Sequence, residues 1–150
     1  MLIFLDIDGV MVQAAGWKAP PNLVDGIPTF NQKAISALKS LISNDTTVVL
    51  TTSHRARFTI DMWKKIFERR GLKIDKLLTL SVNHDFKKRK DEILEWLNTH
   101  DIETDFVIID DDTSLNSLPK DLKEHLIITS PLVGLTPEHI SNFRKRTHLA

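Results

Sequence analysis

The sequence predicts an α/β protein, a doubly wound three-layer sandwich on a five-stranded parallel sheet, with no separate cap domain. Three observations predict it. Five short apolar runs recur along the 150 residues. Helix-patterned segments alternate with the runs. Several of the runs end in clustered polar residues, as strands do where a sheet opens to a ligand.

The runs are Leu2 to Ile7, Thr46 to Thr52, Lys76 to Val82, Asp105 to Asp110 and His125 to Ser130. Each is strand-length, aliphatic and nearly continuous, the pattern of strands covered on both faces; the third is the weakest. Between the first two, Ala34, Ile35, Leu38, Leu41 and Ile42 fall at helical spacing behind Asn31, a good N-cap. Phe58, Met62, Trp63, Ile66 and Phe67 mark a second helix that Gly71 closes. Ile93, Leu94, Trp96 and Leu97 mark a third, and "LTPEHISNF" a fourth, with Thr136 as N-cap and Pro137 at the first helical position. Strands alternating with helices imply right-handed crossovers, hence a parallel sheet with helices on both faces. Ligands bind such sheets beyond the carboxyl ends of the strands, where strand order reverses.

Composition sets the class. Apolar residues make up 41% and charged residues 27%, and 20 basic residues balance 20 acidic ones. One domain over residues 1–150 is expected. A nucleic-acid partner would need a local basic patch, since there is no global field. With no cysteine, disulfides and thiolate metal sites are excluded. The first apolar run is too short for a signal peptide or a membrane span, so a cytoplasmic protein without membrane contact is expected.

The chemistry lies at the strand ends. Strand one ends in Asp6 and Asp8, strand two in Thr51, Thr52 and Ser53 followed by His54 and Arg55, and strand four in Asp110, Asp111 and Asp112. The basic run Lys87 to Lys90 opens helix three. Asp6, Asp8, Asp110 and Asp111 brought to one edge repel strongly, and a hard divalent cation relieves that. All-oxygen ligation suits Mg²⁺. Beside basic and hydroxyl donors it makes a phosphate site, where a carboxylate can act as nucleophile and its neighbour as acid and base.

These motifs resemble those of the haloacid dehalogenase (HAD) superfamily of phosphohydrolases: "DIDGV" at the first strand end, "VVLTTS" at the second, a basic residue before "DEILEWL", and "VIIDDD" at the fourth. Within it, "TTSHR", "DEILEWL", the triple aspartate and "VGLTPE" are most similar to the small domain associated with Swiss Army Knife RNA repair proteins. The resemblance implies that Asp6 is the nucleophile and Asp8 the general acid and base. Thr51, or Thr52 one residue on, would hold the phosphoryl oxygens. Asp6, Asp111 and the backbone carbonyl of Asp8 would bind Mg²⁺, with Asp110 ligating or orienting beside them. Arg89 and Lys90 both remain candidates for the basic residue: spacing from Ile93 and Trp96 favours Arg89, and the superfamily's usual lysine favours Lys90.

Blander readings stand beside these. Asp6 and Asp8 alone could be a strand and an Asp-Gly turn, Thr51 and Thr52 ordinary strand residues, and Lys87 to Lys90 a solvated helix start. His54 and Arg55 fit the site or the surface equally. Trp63 and Trp96 read as core, and Trp17 as packing under the first long loop or stacking on a substrate. A phospho-acceptor receiver domain is a rival, but strand three ends without a convincing acceptor. Only about twenty residues, Met11 to Phe30, separate the first motif from helix one. One helix and one strand fill Thr52 to Arg89. An uncapped site suits a large substrate, such as a phosphorylated nucleic-acid end, with a phosphoprotein or a small metabolite as alternatives.

Overall fold

A computed structural model describes residues 1–14, 25–82, 85–102 and 104–148. Trp17, and the loop or flap expected around Gly16, Pro20 and Pro21, lie outside them. Five strands form one all-parallel sheet: β1 (Leu2–Leu5), β2 (Thr47–Leu50), β3 (Lys76–Thr79), β4 (Phe106–Asp110) and β5 (Leu126–Ile128). Their order is β3-β2-β1-β4-β5. The chain thus winds outward from β1 in one direction to β3, then crosses to β4 on the other side of β1. Strand order reverses between β1 and β4, the point at which such sheets take their ligands.

Alternating residues of the buried strands feed two cores. Ile3, Leu5, Val48, Leu50, Val107 and Ile109 pack under α1 (Gln32–Leu41), α2 (Ile60–Arg69) and α5 (Pro137–Thr147). Leu2, Phe4, Val49 and Ile108 pack on the other face, under α3 (Arg89–Thr99) and the short α4 (Lys120–Lys123). Sheet and flanking helices are the three layers expected, and no cap domain stands among the described residues. No helix among them is long and apolar enough to cross a membrane.

The local signals act as expected. Asn31 caps α1 through Lys33 N, Thr136 caps α5 in a reciprocal box with His139, and Pro137 takes the first turn. α2 starts at Ile60 behind Thr59, so Phe58 precedes it, and Met62 faces outward. Trp63 is fully buried, and its Nε1 donates to Arg55 O at 3.0 Å. Trp96 is half-buried, packs edge-on against Phe4 and stacks on His100. α4 and the 3₁₀ turn at Thr113–Ser117 carry no apolar stripe long enough to announce them.

The connection after β1 is pinned where it returns. The buried Arg70 guanidinium, at the end of α2, donates to both Asp25 carboxylate oxygens (2.8 and 3.0 Å) and to the carbonyls of Ile27, Pro28 and Ile66. Arg70's hydrogen bonds hold the Asp25 carboxyl well below the usual carboxylate range. Removing one partner of a buried pair strands the other. Arg70→Ala is therefore expected to lower stability by about 3 kcal/mol in chemical denaturation; a loss below about 0.5 kcal/mol would show that the link carries no load.

Candidate active site

Strand register builds the site. Leu5 is level with Leu50 of β2 and Ile109 of β4. The next residues, Asp6, Thr51 and Asp110, therefore form one row across the strand ends at the switch point. The ladder continues into that row: Asp6 N–H donates to Ile109 O (3.1 Å), Thr51 N–H to Leu5 O (2.9 Å) and Thr129 N–H to Asp110 O (2.9 Å). All three side chains of the row are buried.

Arg89 reaches this row from the first turn of α3. It stands one helical turn before the fully buried Ile93 and so shares its sheet-facing side. Its Nη1 pairs with Asp110 Oδ2 at 2.5 Å, donates to Thr51 Oγ1 at 3.2 Å and lies 3.8 Å from Asp6 Oδ1. Burial pulls the Arg89 pKa down, but the Asp110 and Asp6 carboxylates outweigh it and raise it. Asp110 is fully engaged: Oδ2 also accepts from Thr51 Oγ1 (3.1 Å), and Oδ1 accepts from Asp112 N–H (3.1 Å).

The structure does not bring Lys90 or Thr52 into this set. Lys90 follows the inward-facing Arg89 and touches the neighbouring turn through its backbone, donating to Ser114 Oγ. Thr52 Oγ1 accepts from His54 N–H at 3.2 Å, because β2 ends at Leu50 and the chain already turns there. That turn presents His54, whose Nε2 meets Asp8 Oδ2 at 3.0 Å. Asp8 is exposed, in contrast to Asp6 two residues before it.

Asp8 sits on a tight turn. The N–H groups of Val10, Met11 and Val12 converge on Ile7 O, and Gly9 N–H donates to Val12 O at 2.7 Å. Thr129 Oγ1 clamps Gly9 O (2.7 Å). Gly9 has φ +81°, and a Cβ there would lie 2.1 Å from Asp111 Oδ2. Only glycine lets Asp111 close over the turn.

Arg55 is the residue whose part the sequence left open. It is buried beneath the site, donating to the carbonyls of Thr51, Thr52, Leu80 and Ser81 and pairing with Glu92. Glu92 in turn faces Arg89 Nε at 3.6 Å. The two guanidiniums thus share one carboxylate, which ties the ends of β2 and β3 to the base of α3. The spacing Arg89-x-x-Glu92 was a signal for this pairing.

Oxygens of Asp6, Asp110 and Asp111 lie within 4.8 Å of one another. Burial, and then Asp110, push the Asp6 pKa up to about 9, and the Asp111 carboxyl shares a hydrogen bond with it. Burial raises Asp111 as well. Two hydrogen-bonded carboxyls need a proton between them or a cation in its place. A donor set made wholly of carboxylate oxygen, with a proton held where a positive charge could sit, fits a hard divalent cation such as Mg²⁺.

A scan against known families matches residues 2–140 to the model described as the HAD domain in Swiss Army Knife RNA repair proteins. The chain belongs to this family. No curated protein and no solved structure was found to match it. The membership makes the chain a HAD-type domain of a phosphohydrolase class, and the acidic cluster of Asp6, Asp110 and Asp111 is consistent with it.

Two outcomes follow from the site's electrostatics. An aspartate unfolds to a pKa of 3.8, whereas folded Asp6 keeps its proton up to about 9. The folded state thus binds the extra proton between these values, and cation-free stability falls as pH rises through that window. In chelator the thermal midpoint should be higher at about pH 5.5 than at about pH 8.5, and Mg²⁺ should raise it more at the higher pH. An equal Mg²⁺ effect at both pH values would contradict the shared-proton site. Gly9→Ala should weaken Mg²⁺ binding by roughly tenfold or more, read by calorimetry, because Asp111 must move; unchanged affinity would release Gly9 from this role.

Proposed function

We propose that the protein is a Mg²⁺-dependent phosphatase that forms an aspartyl-phosphate on Asp6 and acts on a large substrate such as a phosphorylated nucleic-acid end. One observation carries the reading. A single short turn holds two aspartates in opposite settings: Asp6 buried among Arg89, Asp110 and Asp111, and Asp8 exposed and held by His54. Carboxyls in such different surroundings suit different tasks.

In this reading an Asp6 carboxylate oxygen attacks phosphorus, and the bond from phosphorus to the leaving oxygen breaks. The Asp8 carboxyl gives its proton to that oxygen. Asp8, now a carboxylate, takes a proton from water, whose oxygen attacks the same phosphorus. The bond to Asp6 then breaks, giving inorganic phosphate and the original carboxylate. Arg89 offsets charge on the phosphoryl oxygens, and Thr51, which accepts from Arg89 and donates to Asp110 at rest, turns its hydroxyl from Asp110 to a phosphoryl oxygen when substrate binds. Asp6, Asp111 and the backbone carbonyl of Asp8 would hold Mg²⁺, with Asp110 orienting Arg89. When bound, the ion supplies the charge that frees Asp6 of its proton and offsets that of the phosphoryl group.

The large substrate is supported by the uncapped strand ends, the basic run beside them and the RNA repair setting named for the family. The cysteine-free composition suits work in the cytoplasm. Asp6→Asn should abolish turnover, since an amide does not attack phosphorus, and Asp8→Asn should lower kcat by roughly 10²–10⁴-fold. Chelation should stop the reaction. Near-normal rates in Asp6→Asn would refute the mechanism. Comparing kcat/KM for phosphorylated oligonucleotides, phosphopeptides and mononucleotides tests the substrate class: oligonucleotides should lead, and a preference for mononucleotides or sugar phosphates would sink it.

A further inference from the structure

Phe86 is 94% exposed, the most of any large apolar side chain among the described residues; the next, Leu132, is 69% exposed. Its backbone has φ +52°, in the left-handed region that a bulky residue rarely enters. Exposing a phenyl ring to water and holding it on such a backbone both cost free energy. Strain of this kind persists where it serves a site.

The location says which site. Phe86 directly precedes Lys87, Lys88, Arg89 and Lys90, the densest basic run in a chain of zero net charge. Arg89, three residues on, is the guanidinium that reaches Asp110 and Asp6. Three residues span at most roughly 11 Å between Cα atoms, so the two residues stand close enough to serve one strand end. A cleft of about 380 Å³, lined by Ser53, Ala56, Val82, Lys88, Arg89 and Asp112, opens between this run and the turn after β2. Lys87, the residue after Phe86, lines both this cleft and the adjoining pocket of about 310 Å³, and Asp85, the residue before it, lines the latter. An outward aromatic beside a cationic stretch is how proteins hold single-stranded nucleic acid, the ring stacking on a base while the cations meet phosphate.

We propose that Phe86 is the stacking platform for the nucleobase next to the phosphate that Arg89 receives, so that the site takes the phosphorylated end of an unpaired strand. The proposal rests on the phosphatase reading for the position of the phosphate. It adds a specificity element that reads the π-face of a base without selecting its identity. A base paired within a duplex has both faces covered and cannot use it.

The test measures binding with the full chain, in an Asp6→Asn background that halts chemistry, by fluorescence anisotropy. The probes are single-stranded oligonucleotides with a 5′ or a 3′ phosphate and a dye at the far end. Phe86→Ala should raise Kd by about tenfold for one of the two ends, and Phe86→Trp should keep the parent affinity. An abasic site at the phosphorylated nucleotide should cost the parent the same factor, and cost the Phe86→Ala protein nothing more. A duplex carrying the same phosphate at a nick, where the neighbouring base is stacked on both faces, should show no dependence on Phe86. The proposal is overturned if Phe86→Ala binds within twofold of the parent, if the abasic cost is undiminished in Phe86→Ala, or if the parent does not bind single strands. Phe86-dependent capture of a phosphopeptide in preference to the oligonucleotide would overturn it too. Release of inorganic phosphate from the same oligonucleotides by the wild-type protein is followed separately. If it proceeds while these binding results fail, the phosphatase reading survives and the stacking role does not. The converse pattern removes the phosphatase reading alone.

Discussion

Three carboxyls, Asp6, Asp110 and Asp111, are packed at the switch point with one guanidinium, Arg89, among them. That imbalance governs the rest of the site. Arg89 and Thr51 satisfy Asp110, which leaves Asp6 and Asp111 to share a hydrogen bond and hence a proton. A fold selected for stability alone would not bury an aspartate so that it keeps its proton up to about 9. The cost makes sense where a cation takes the proton's place and a phosphoryl group is the intended guest.

Holding the cluster requires rigidity on every side. Parallel register sets Asp6, Thr51 and Asp110 level. The turn after Asp6 is tied to Ile7 O within itself and to Thr129 from beyond β5, and Gly9 leaves Asp111 its space. Below, Arg55 joins the ends of β2 and β3 to Glu92, and Glu92 stands against Arg89. Among the described residues the outer wall is open, where Asp8 and His54 meet solvent and the basic run leads to Phe86. In the proposed mechanism, proton transfer and substrate entry fall on the exposed side, and nucleophile and counter-charge on the buried one.

Most of the fold was legible because buried parallel strands leave long aliphatic runs and capping residues mark helix starts. Asp6 and Asp110 were legible for the opposite reason: carboxylates at the ends of such runs have no structural excuse. What stayed hidden depended on direction and depth. Arg89 and Lys90 differ by one position on a helix, about 100° of rotation; spacing from Ile93 favoured Arg89, the superfamily's usual lysine favoured Lys90, and the packing of Ile93 against the sheet makes Arg89 the inward one. Thr51 and Thr52 differ likewise by one residue at the strand end, where alternation sends one to the row and the other to the turn. Arg55 was left between site and surface because a guanidinium buried by four carbonyls and a shared glutamate leaves no local pattern. Phe86 lies in no apolar stripe at all, and only its exposure and backbone conformation single it out.

The central claim is that Asp6, and not water directly, receives the phosphoryl group. The direct measurement is a rapid quench of wild-type protein mixed with a phosphorylated oligonucleotide and Mg²⁺, followed by borohydride reduction and peptide mass spectrometry. Reduction converts an aspartyl-phosphate to homoserine. The account predicts homoserine at position 6, appearing within the first turnover and absent from controls in chelator. Turnover with no homoserine at position 6, or with the label at Asp8, would contradict it.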